Sequence, residues 1–446
     1  MTALRVSALP HTQGPAAWNV ILGPPARYPP LEGTRTADVV IVGAGFAGLS
    51  AARRLRQLEP DATICLLEAG QITEGAAGRN SGFMIDLPHD LASDDYAGPG
   101  DDRALIALNR KAIAFATDAV RDYQINPAYF DPAGKVNGAV SDAAHAHNQS
   151  YASHLAGLGE TSEMLDGADM AALTGSAHYR SGLYTPGTVM LQPAGYIRGL
   201  AAGVARDGVT IYEDTPVTGA HRDGDAWQLT STAGAISAGR VILTVNGHLE
   251  SFGFETGRLM QVLLFATMTP ELDADALHRL GGKSRWGVTP SDPMGTTIRR
   301  IDTAQGGNRI ITRTCAALRP GCAAKPGDLR RAARVMQRKF DARFPQLAGL
   351  RMQYSWSGHL CLSRNGVAVM RALDTGLYAG CVQNGLGTTR GTLTGIGAAE
   401  LAAGVQSDIT WHFASQARPT RLPSRPVQEI GGNAVLRWKE WRARHD

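Results

Sequence analysis

The strongest constraint on this chain is the stretch ADVVIVGAGFAGLSAARRL, residues 37–55. Residues 39–42 are apolar on both faces, as in a parallel strand covered by helices. Gly43, Gly45 and Gly48 follow as G-x-G-x-x-G, which allows a tight turn, close approach to a pyrophosphate and close helix–strand packing. A helix predicted over residues 46–58 points its free N–H groups at the phosphates. The stretch therefore predicts a βα unit of a parallel sheet with a nucleotide at its edge.

An acidic residue strengthens this interpretation. Residues 63–67 form the next predicted strand, and Glu68 ends it. That spacing places a carboxylate on the ribose hydroxyls and disfavours a 2′-phosphate. A lone glycine motif is weak evidence, but here strand, helix and acid are in register. The pattern predicts a dinucleotide site, which FAD and NAD would both fit.

Two further glycine-rich stretches favour FAD. Residues 75–84, GAAGRNSGFM, are too small and polar for the helix that an NAD-only unit would begin here. In this stretch we expect Arg79 to neutralise pyrophosphate or hold an acidic group, and Asn80 and Ser81 to bond flavin carbonyls. Residues 376–389 predict a strand and a glycine turn, followed by a helix over residues 392–403. The N-terminus of that helix would face the flavin O2/N1 edge, where negative charge develops on reduction.

Together these pieces resemble the FAD-dependent D-amino-acid oxidase (DAO) superfamily. The resemblance is strongest to the branch of γ-glutamylputrescine oxidoreductase, glycine oxidase and sarcosine oxidase. It is carried by PPLEG (residues 29–33), ADVVIVGAG, GAAGRNSG and the C-terminal glycine turn. It implies an α/β fold, α+β overall, with a glutathione-reductase-type FAD domain interrupted by a substrate domain on a mixed β-sheet. The implied domains are an extended arm (1–36), the FAD domain (37–90, 190–250 and 355–410), the substrate domain (91–189 and 251–354) and a C-terminal extension (411–446).

The resemblance also implies which residues hold FAD, non-covalently. For the ADP half they are Gly43, Gly45, Phe46, Ala47, Gly48, Glu68 and Ala69, with the Val217 backbone on the adenine. Beside the flavin they are Gly78, Arg79, Asn80, Ser81, Gly82, Phe83 and Met84. Those that would close over the ring are Gly380, Gly385, Leu386, Gly387, Thr388 and Thr389.

The implied reaction is oxidation of a C–N bond. A carbon beside nitrogen gives a hydride to flavin N5, and the resulting imine hydrolyses. The expected substrate is a small secondary amine or N-substituted amino acid, such as γ-glutamylputrescine, an iminodiacetate-like or a sarcosine-like compound. The alternatives are the flavin subunit of a heteromeric amine dehydrogenase, or an enzyme of the flavin monooxygenase or halogenase type.

Three side chains are candidates for the substrate pocket. Arg313, on a strand predicted over residues 309–314, stands where the superfamily commonly has glycine, and could fork onto a carboxylate. An arginine at a surface or interface is the competing interpretation. His89, which follows the flavin loop, and His359 are the other two, each with an ordinary structural role as its alternative.

Two features bear on the flavin's chemistry. Residues 308–313 lack the lysine that activates oxygen in the sarcosine oxidases, so the electron acceptor is either O2 or another molecule. Neither Cys361 nor Cys381 falls where sarcosine oxidases attach flavin covalently, which leads to the prediction of non-covalent FAD.

Composition excludes several classes. The 44 basic and 40 acidic residues form no basic run of the kind that marks nucleic-acid or membrane binding. No apolar run is long enough for a membrane span, and the proline-rich start is not a secretory signal. The five cysteines form no C-x-x-C pair, we find no metal motif, and a cytoplasmic location is expected.

Other segments carry coarser expectations. Helical periodicity covers residues 100–125, and also 145–172 with a break near 157–159. The Pro/Arg-rich residues 414–430 are expected to be extended. A short amphipathic helix is predicted over residues 436–444.

Overall fold

The computed structural model describes residues 4–88, 100–292, 294–322 and 324–446. Within these residues the chain forms three β-sheets and eleven α-helices. The helices are α1 (Ala17–Val20), α2 (Phe46–Leu58), α3 (Asp102–Asp122), α4 (Asp142–Leu158), α5 (Gly167–Thr174), α6 (Pro193–Arg206), α7 (Ala274–Leu280), α8 (Pro326–Arg343), α9 (Thr389–Ala402), α10 (Asp408–Ala414) and α11 (Arg425–Arg442).

The strands are numbered in chain order. The first ten are β1 (Leu4–Arg5), β2 (Gly33–Val42), β3 (Ile64–Leu67), β4 (Phe83–Met84), β5 (Phe130–Asp131), β6 (Lys135–Ala139), β7 (Glu163–Leu165), β8 (Ser181–Thr185), β9 (Val189–Leu191) and β10 (Thr210–Tyr212). The next ten are β11 (Gly219–Asp223), β12 (Ala226–Thr230), β13 (Gly234–Leu243), β14 (Leu259–Met268), β15 (Trp286–Pro290), β16 (Thr297–Ile301), β17 (Arg309–Leu318), β18 (Tyr354–Ser363), β19 (Val369–Asp374) and β20 (Leu377–Cys381).

A nine-stranded sheet carries the glycine-rich turn. Its main path is β1-β11-β12-β13-β2-β3-β10, and β20 joins it through β13 with β19 alongside. β2 pairs in parallel with both β3 and β13, and β20 is parallel to β13. Because the carboxyl ends of parallel strands meet at one edge, the turns after β2, β3 and β20 converge there. α2 and α9 pack against each other on this sheet.

A mixed eight-stranded sheet forms the other half of the molecule, in the order β18-β14-β17-β16-β15-β6-β8-β7. Only β15 and β6 pair in parallel; the remaining pairs are antiparallel. β18 belongs to this sheet, although the sequence analysis assigned residues from 355 onward to the FAD domain. The small sheet β4-β9-β5 lies where the chain passes from one half to the other.

Several local predictions are confirmed. The helix predicted over residues 46–58 has those bounds, and β3 and α9 lie within two or three residues of their predicted positions. Residues 100–125 are helical as predicted, over Asp102–Asp122.

Three local predictions were wrong. Residues 145–172 form two helices separated by β7, not one interrupted helix. Residues 414–430 are not extended throughout, because α11 begins at Arg425 with Pro426 in its first turn, where proline is tolerated. The N-terminal arm is not wholly extended either. It contains α1, whose Trp18 is fully buried, and the first strand of the nucleotide unit already begins at Gly33.

Candidate active site

A cavity of about 350 Å³ lies between the two large sheets. The N-terminal arm contributes Val6, Leu9 and Thr12 to its wall. The rest of the wall comes from the turn after β2, the loop before β4, residues 244–248, the middle of the eight-stranded sheet and the turn before α9. The three glycine-rich pieces that lie far apart in the sequence therefore meet at one cavity.

The first glycine turn is sterically specified. Gly43 has φ +103°, a conformation that favours glycine. A Cβ on Gly48 would lie 1.8 Å from the Gly43 carbonyl oxygen, so only glycine lets α2 pack this closely on β2. A Cβ on Gly45 would meet nothing nearer than Ala77 Cβ, at 3.7 Å. At Gly45 the glycine thus leaves open space on the cavity side.

Glu68 lies beside this turn. Its carboxylate accepts hydrogen bonds from the Ala44 N–H at 2.8 Å and the Gly70 N–H at 3.3 Å. Burial raises the pKa of Glu68, against the lowering effect of these backbone donors. A carboxylate that still has acceptor capacity at the end of β3 suits a ribose hydroxyl.

The cavity fits a dinucleotide flavin on these observations. The N-cap Gly45 of α2 offers no side-chain cap, so the first-turn N–H groups of α2 remain available to a phosphate. His248 lines the cavity, and both of its ring nitrogens are buried without a hydrogen-bond partner in the described part of the chain. Two effects lower the pKa of His248 to about 4: burial, which is the larger, and the charge of the neighbouring His359. The neutral ring therefore offers one donor and one acceptor to a polar ligand edge.

Arg79 has the second of the two roles expected from the sequence, since it holds an acidic group, Glu74. Its Nε donates to the Glu74 carbonyl, and its Nη2 pairs with the Glu74 carboxylate at 3.2 Å. Nη1 donates to the Gly14 and Ser357 carbonyls, at 3.0 and 3.2 Å. Its charge is compensated by Glu74, and its contacts with Gly14 and Ser357 anchor the N-terminal arm.

Asn80 likewise holds the loop itself. Its amide donates to Ala77 O at 2.6 Å and its Oδ1 accepts from Gly82 N at 2.7 Å, which corrects the expected bond to a flavin carbonyl. Arg299, which the sequence analysis missed, donates to Ser81 O at 3.1 Å. Gly82 has φ +74°, and a Cβ there would lie 2.3 Å from the Arg299 guanidinium. Two buried arginines thus fix the loop that faces the cavity.

The threonines before α9 also fix this loop. Thr388 Oγ1 donates to Phe83 O at 2.6 Å, and Thr389 Oγ1 donates to Ile85 O at 2.9 Å. A Cβ on Gly380 would lie 2.6 Å from Thr394 O, so this glycine serves the packing of β20 on α9. Gly380 and Thr389 therefore act on the scaffold behind the cavity wall, whereas Thr388 both fixes the loop and lines the cavity.

The structure brings most of the predicted cofactor residues to the cavity. Those that line it are Gly43, Gly45, Phe46, Ala47, Glu68, Ala69, Arg79, Asn80, Ser81, Gly82, Phe83, Val217, Gly385, Leu386, Gly387 and Thr388. Those placed behind its wall are Gly48, Gly78, Met84, Gly380 and Thr389. Whether each lining residue touches FAD stays a prediction.

Of the substrate-pocket candidates, Arg313 and His359 line the cavity, and His89 lies outside the described residues. His359 Nε2 bonds the His11 carbonyl at 2.7 Å, so this ring binds the N-terminal arm. Burial lowers the pKa of His359, and its ring centroid is 5.7 Å from that of His248.

Arg313 lies in a row of side chains across the eight-stranded sheet. It pairs with Ala266 on one side and Thr297 on the other. Val288 pairs with Ile298, which sets Thr289 beside Thr297, and Thr289 pairs with Asn137. Arg313, Ala266, Thr297 and Thr289 all line the cavity. Arg313 makes no hydrogen bond or ion pair with any residue that the structure describes, and burial lowers its pKa.

A buried lysine lies at the end of this row. Lys135 is 3% exposed, and its Nζ donates to Asn137 Oδ1 and lies 3.5 Å from Thr289 Oγ1. Burial lowers its pKa to about 8, although nearby Asp86 raises it. Among the described residues no carboxylate pairs with Lys135. A buried, weakly compensated amine beside a cavity is a mark of function, and no sequence motif pointed to it.

Comparisons with known proteins agree with this architecture. The family model for DAO, FAD dependent oxidoreductase, matches residues 38–401. Gamma-glutamylputrescine oxidoreductase of Escherichia coli (strain K12) is 26% identical over 384 residues, 85% of this chain and 86% of that protein. A probable oxidoreductase, OrdL, of Rhizobium meliloti (strain 1021) is 24% identical over 390 residues, 86% of each chain. The crystal structure of glycine oxidase from Geobacillus kaustophilus superposes with a TM-score of 0.70 at 18% identity, covering 87% of this chain and all of that one.

The family match spans most of the chain and contains every glycine-rich piece described above. This chain belongs to the DAO family of FAD-dependent oxidoreductases, and FAD is its cofactor.

Proposed function

We propose that this oxidoreductase oxidises the C–N bond of a small secondary amine or N-substituted amino acid that carries a carboxylate. The observation that carries the proposal is Arg313, a cation in the cavity wall without an anionic partner in the described part of the chain. A buried charge is costly unless paired, so its counter-ion is expected to come from the ligand. A carboxylate fits the guanidinium fork in two parallel hydrogen bonds. The relatives named above act on an amine and on an amino acid by their names, which supports this substrate class.

Bound FAD supplies the hydride acceptor. The protein has to hold the substrate carbon against it, exclude water and leave the amine neutral. Arg313 binds the carboxylate and so fixes one end of the substrate. Thr289 lies two strand spacings away, about 10 Å, along the same row. The substrate would lie between them, with its nitrogen toward Thr289.

Lys135 is the proposed proton acceptor. A secondary amine arrives as an ammonium ion, whose proton must leave before a hydride can depart from the adjacent carbon. With its pKa lowered to about 8, Lys135 has a larger neutral fraction at neutral pH than an ordinary lysine, and this neutral amine is the form that accepts the proton. The Thr289 hydroxyl, 3.5 Å from Nζ, would pass the proton from the substrate nitrogen to Lys135. Asn137 then stabilises the new ammonium through its Oδ1.

The test is the visible spectrum of the holoenzyme under anaerobic conditions, before and after adding sarcosine, iminodiacetate and γ-glutamylputrescine one at a time. Bleaching of the flavin by one of these amines supports the proposal, and re-admitted air separates a fast-recovering oxidase from a slow-recovering dehydrogenase. A flavin that no amine bleaches but that NAD(P)H reduces rapidly would instead favour a monooxygenase-type enzyme. Acid precipitation should leave the yellow colour in the supernatant, because the flavin is proposed to be non-covalent. A yellow pellet would contradict that part.

A further inference from the structure

The C-terminal helix α11 is held to the body mainly by polar contacts, together with half-buried Leu436, which packs against Val262, Ala316 and Leu318. None of its 18 residues is buried. Asn433 accepts from Leu318 N and donates to Leu318 O, both at 3.0 Å, and Glu440 accepts from Ala316 N at 2.9 Å. A Cβ on Gly432 would lie 2.5 Å from the Leu318 side chain, so glycine lets the helix approach β17. The inner face of α11 therefore satisfies the backbone of β17.

The outer face of α11 is apolar and uncovered. Nine large hydrophobic side chains are exposed among the described residues, and five of them are on this helix. They are Val427 (58%), Ile430 (75%), Val435 (52%), Trp438 (53%) and Trp441 (60%). Their spacing, with exposed Ala434 between them, places them on one side of a helix that turns about 100° per residue. A concentration of apolar side chains on one exposed face marks an interaction surface.

The charges of the helix are divided between its two sides. Each acid of the segment pairs inward: Glu429 with Arg319, Glu440 with Arg331, and Asp446 with Arg343. Lys439, Arg442 and Arg444 are exposed and have no carboxylate partner in the part of the chain that the structure describes. The last two lie over tryptophan rings, Arg442 over Trp438 at 5.2 Å and Arg444 over Trp441 at 4.5 Å. The outward side is thus an apolar stripe bordered by free cations.

We propose that this outer face of α11 docks the enzyme on an anionic lipid surface. A helix with an apolar face and a cationic border lies in the membrane interface, with tryptophans at headgroup level and cations on the lipid phosphates. The apolar side chains and the cations lie on the same exposed side of α11, so both can meet one lipid surface. A nucleic acid would leave the stripe uncovered. No helix in the described residues is long and apolar enough to cross a membrane, so the attachment is peripheral.

The segment from Arg425 to Asp446 has five basic and three acidic residues, so its net charge alone does not show on which side the cations lie. Only the inward pairing of its acids leaves the cations uncompensated. The proposal is independent of the substrate, because it uses no residue of the cavity.

Co-sedimentation of the FAD-loaded full chain with vesicles tests the proposal. Binding is expected to vesicles that contain phosphatidylglycerol, and to be at least tenfold weaker with phosphatidylcholine alone or at high salt. The double variant Trp438→Ser/Trp441→Ser should lose binding by about tenfold or more. The matched control is Trp411→Ser, since Trp411 is 76% exposed on α10, away from this face, and should leave binding unchanged.

The outcomes that overturn the proposal are specific. Absence of binding to the anionic vesicles does so, and so does an equal loss in the Trp411→Ser control. If sedimentation velocity shows a dimer that the double variant converts to monomer, while vesicles bind neither, the face is an interface between two copies. Retained FAD and thermal stability in the double variant confirm that it is folded.

Discussion

The two sheets that enclose the cavity are specified in different ways. On the nine-stranded sheet the controlling quantity is space: Gly48 and Gly82 stand where a single methyl group would meet backbone or guanidinium atoms. On the eight-stranded sheet the controlling quantity is charge: Lys135 is buried, Arg313 is partly buried, and neither has a carboxylate partner in the described part of the chain. The nine-stranded sheet thus allows the cofactor to approach the backbone closely, and the eight-stranded sheet keeps charged side chains available to bind a ligand. At Gly48 and Gly82 an added methyl group is expected to destabilise the fold. At Arg313 and Lys135 a neutral side chain is expected to preserve the fold and to reduce activity.

The largest effect is expected on the nine-stranded sheet, where glycines allow close packing. Gly48→Ala should destabilise the protein by about 3 kcal/mol or more, since the new Cβ would lie 1.8 Å from the Gly43 carbonyl. That clash outweighs the gain of roughly 1 kcal/mol that alanine normally brings to a helix. Thermal unfolding of the apoprotein measures it.

Gly45→Ala is the matched control, because its Cβ would meet only Ala77 at 3.7 Å. It should leave the apoprotein's melting temperature unchanged and weaken FAD binding by about tenfold or more, since the methyl group occupies space next to the phosphates. If the Gly48→Ala apoprotein has the same melting temperature as the wild-type apoprotein, the steric account is contradicted.

The variant Lys135→Met tests the role of charge on the eight-stranded sheet. Because the folded pKa of Lys135 is about 8, below its ordinary value of 10.5, the unfolded chain binds more protons between these values. Stability therefore rises with pH over that window, and the ammonium costs the folded state about 3 kcal/mol below pH 8. The variant should be more stable than wild type by about 2–3 kcal/mol at pH 7, with most of the gain lost near pH 10. Its flavin reduction by a substrate should slow.

Denaturant unfolding at the two pH values measures that difference. An equal gain at pH 7 and pH 10 would mean that packing, not charge, accounts for it. A loss of stability at pH 7 would show that Lys135 has a compensating partner.

A smaller effect is expected where the N-terminal arm joins the two halves. Val6, Leu9 and Thr12 line the cavity, and the arm is anchored through His11 O on His359. Removal of residues 1–12 should weaken FAD binding by about tenfold, roughly 1.4 kcal/mol, because that part of the wall is lost. Removal of residues 1–5 spares the lining residues and is the control. Equal FAD affinity in both truncations would show that the arm is not part of the site.

The same contrast explains what the sequence could predict. Glycines, a buried strand and an acid at fixed spacing follow from local rules, so the unit from the end of β2 to Glu68 was predicted nearly to the residue, although β2 begins earlier, at Gly33. Arg79 and Thr388 were placed at the right cavity, but the backbone carbonyls that they bind were not predicted. Their partners, Gly14 and Phe83, come from segments whose position depends on the whole fold.

The substrate side left almost no signal in the sequence. Lys135 on β6 is more than a hundred residues from Thr289 on β15, and the strand β16 separates Thr289 from Arg313 on β17. Only the register of the sheet aligns the three side chains. His248 was missed for the same reason, since a lone histidine after a strand has no motif. Arg313 could be singled out because the resemblance to the superfamily places a glycine at the comparable position.

The most direct measurement compares two enzymes on two substrates. Anaerobic flavin reduction by the substrate that the panel identifies, and by the matching amine without its carboxylate, is followed in the wild type and in Arg313→Met. The account predicts that the variant loses about a hundredfold or more in kred/Kd on the carboxylate substrate and nearly nothing on the other, with Arg313→Lys in between. An equal loss on both substrates, or no loss on either, would show that Arg313 does not hold the carboxylate and would contradict the central claim.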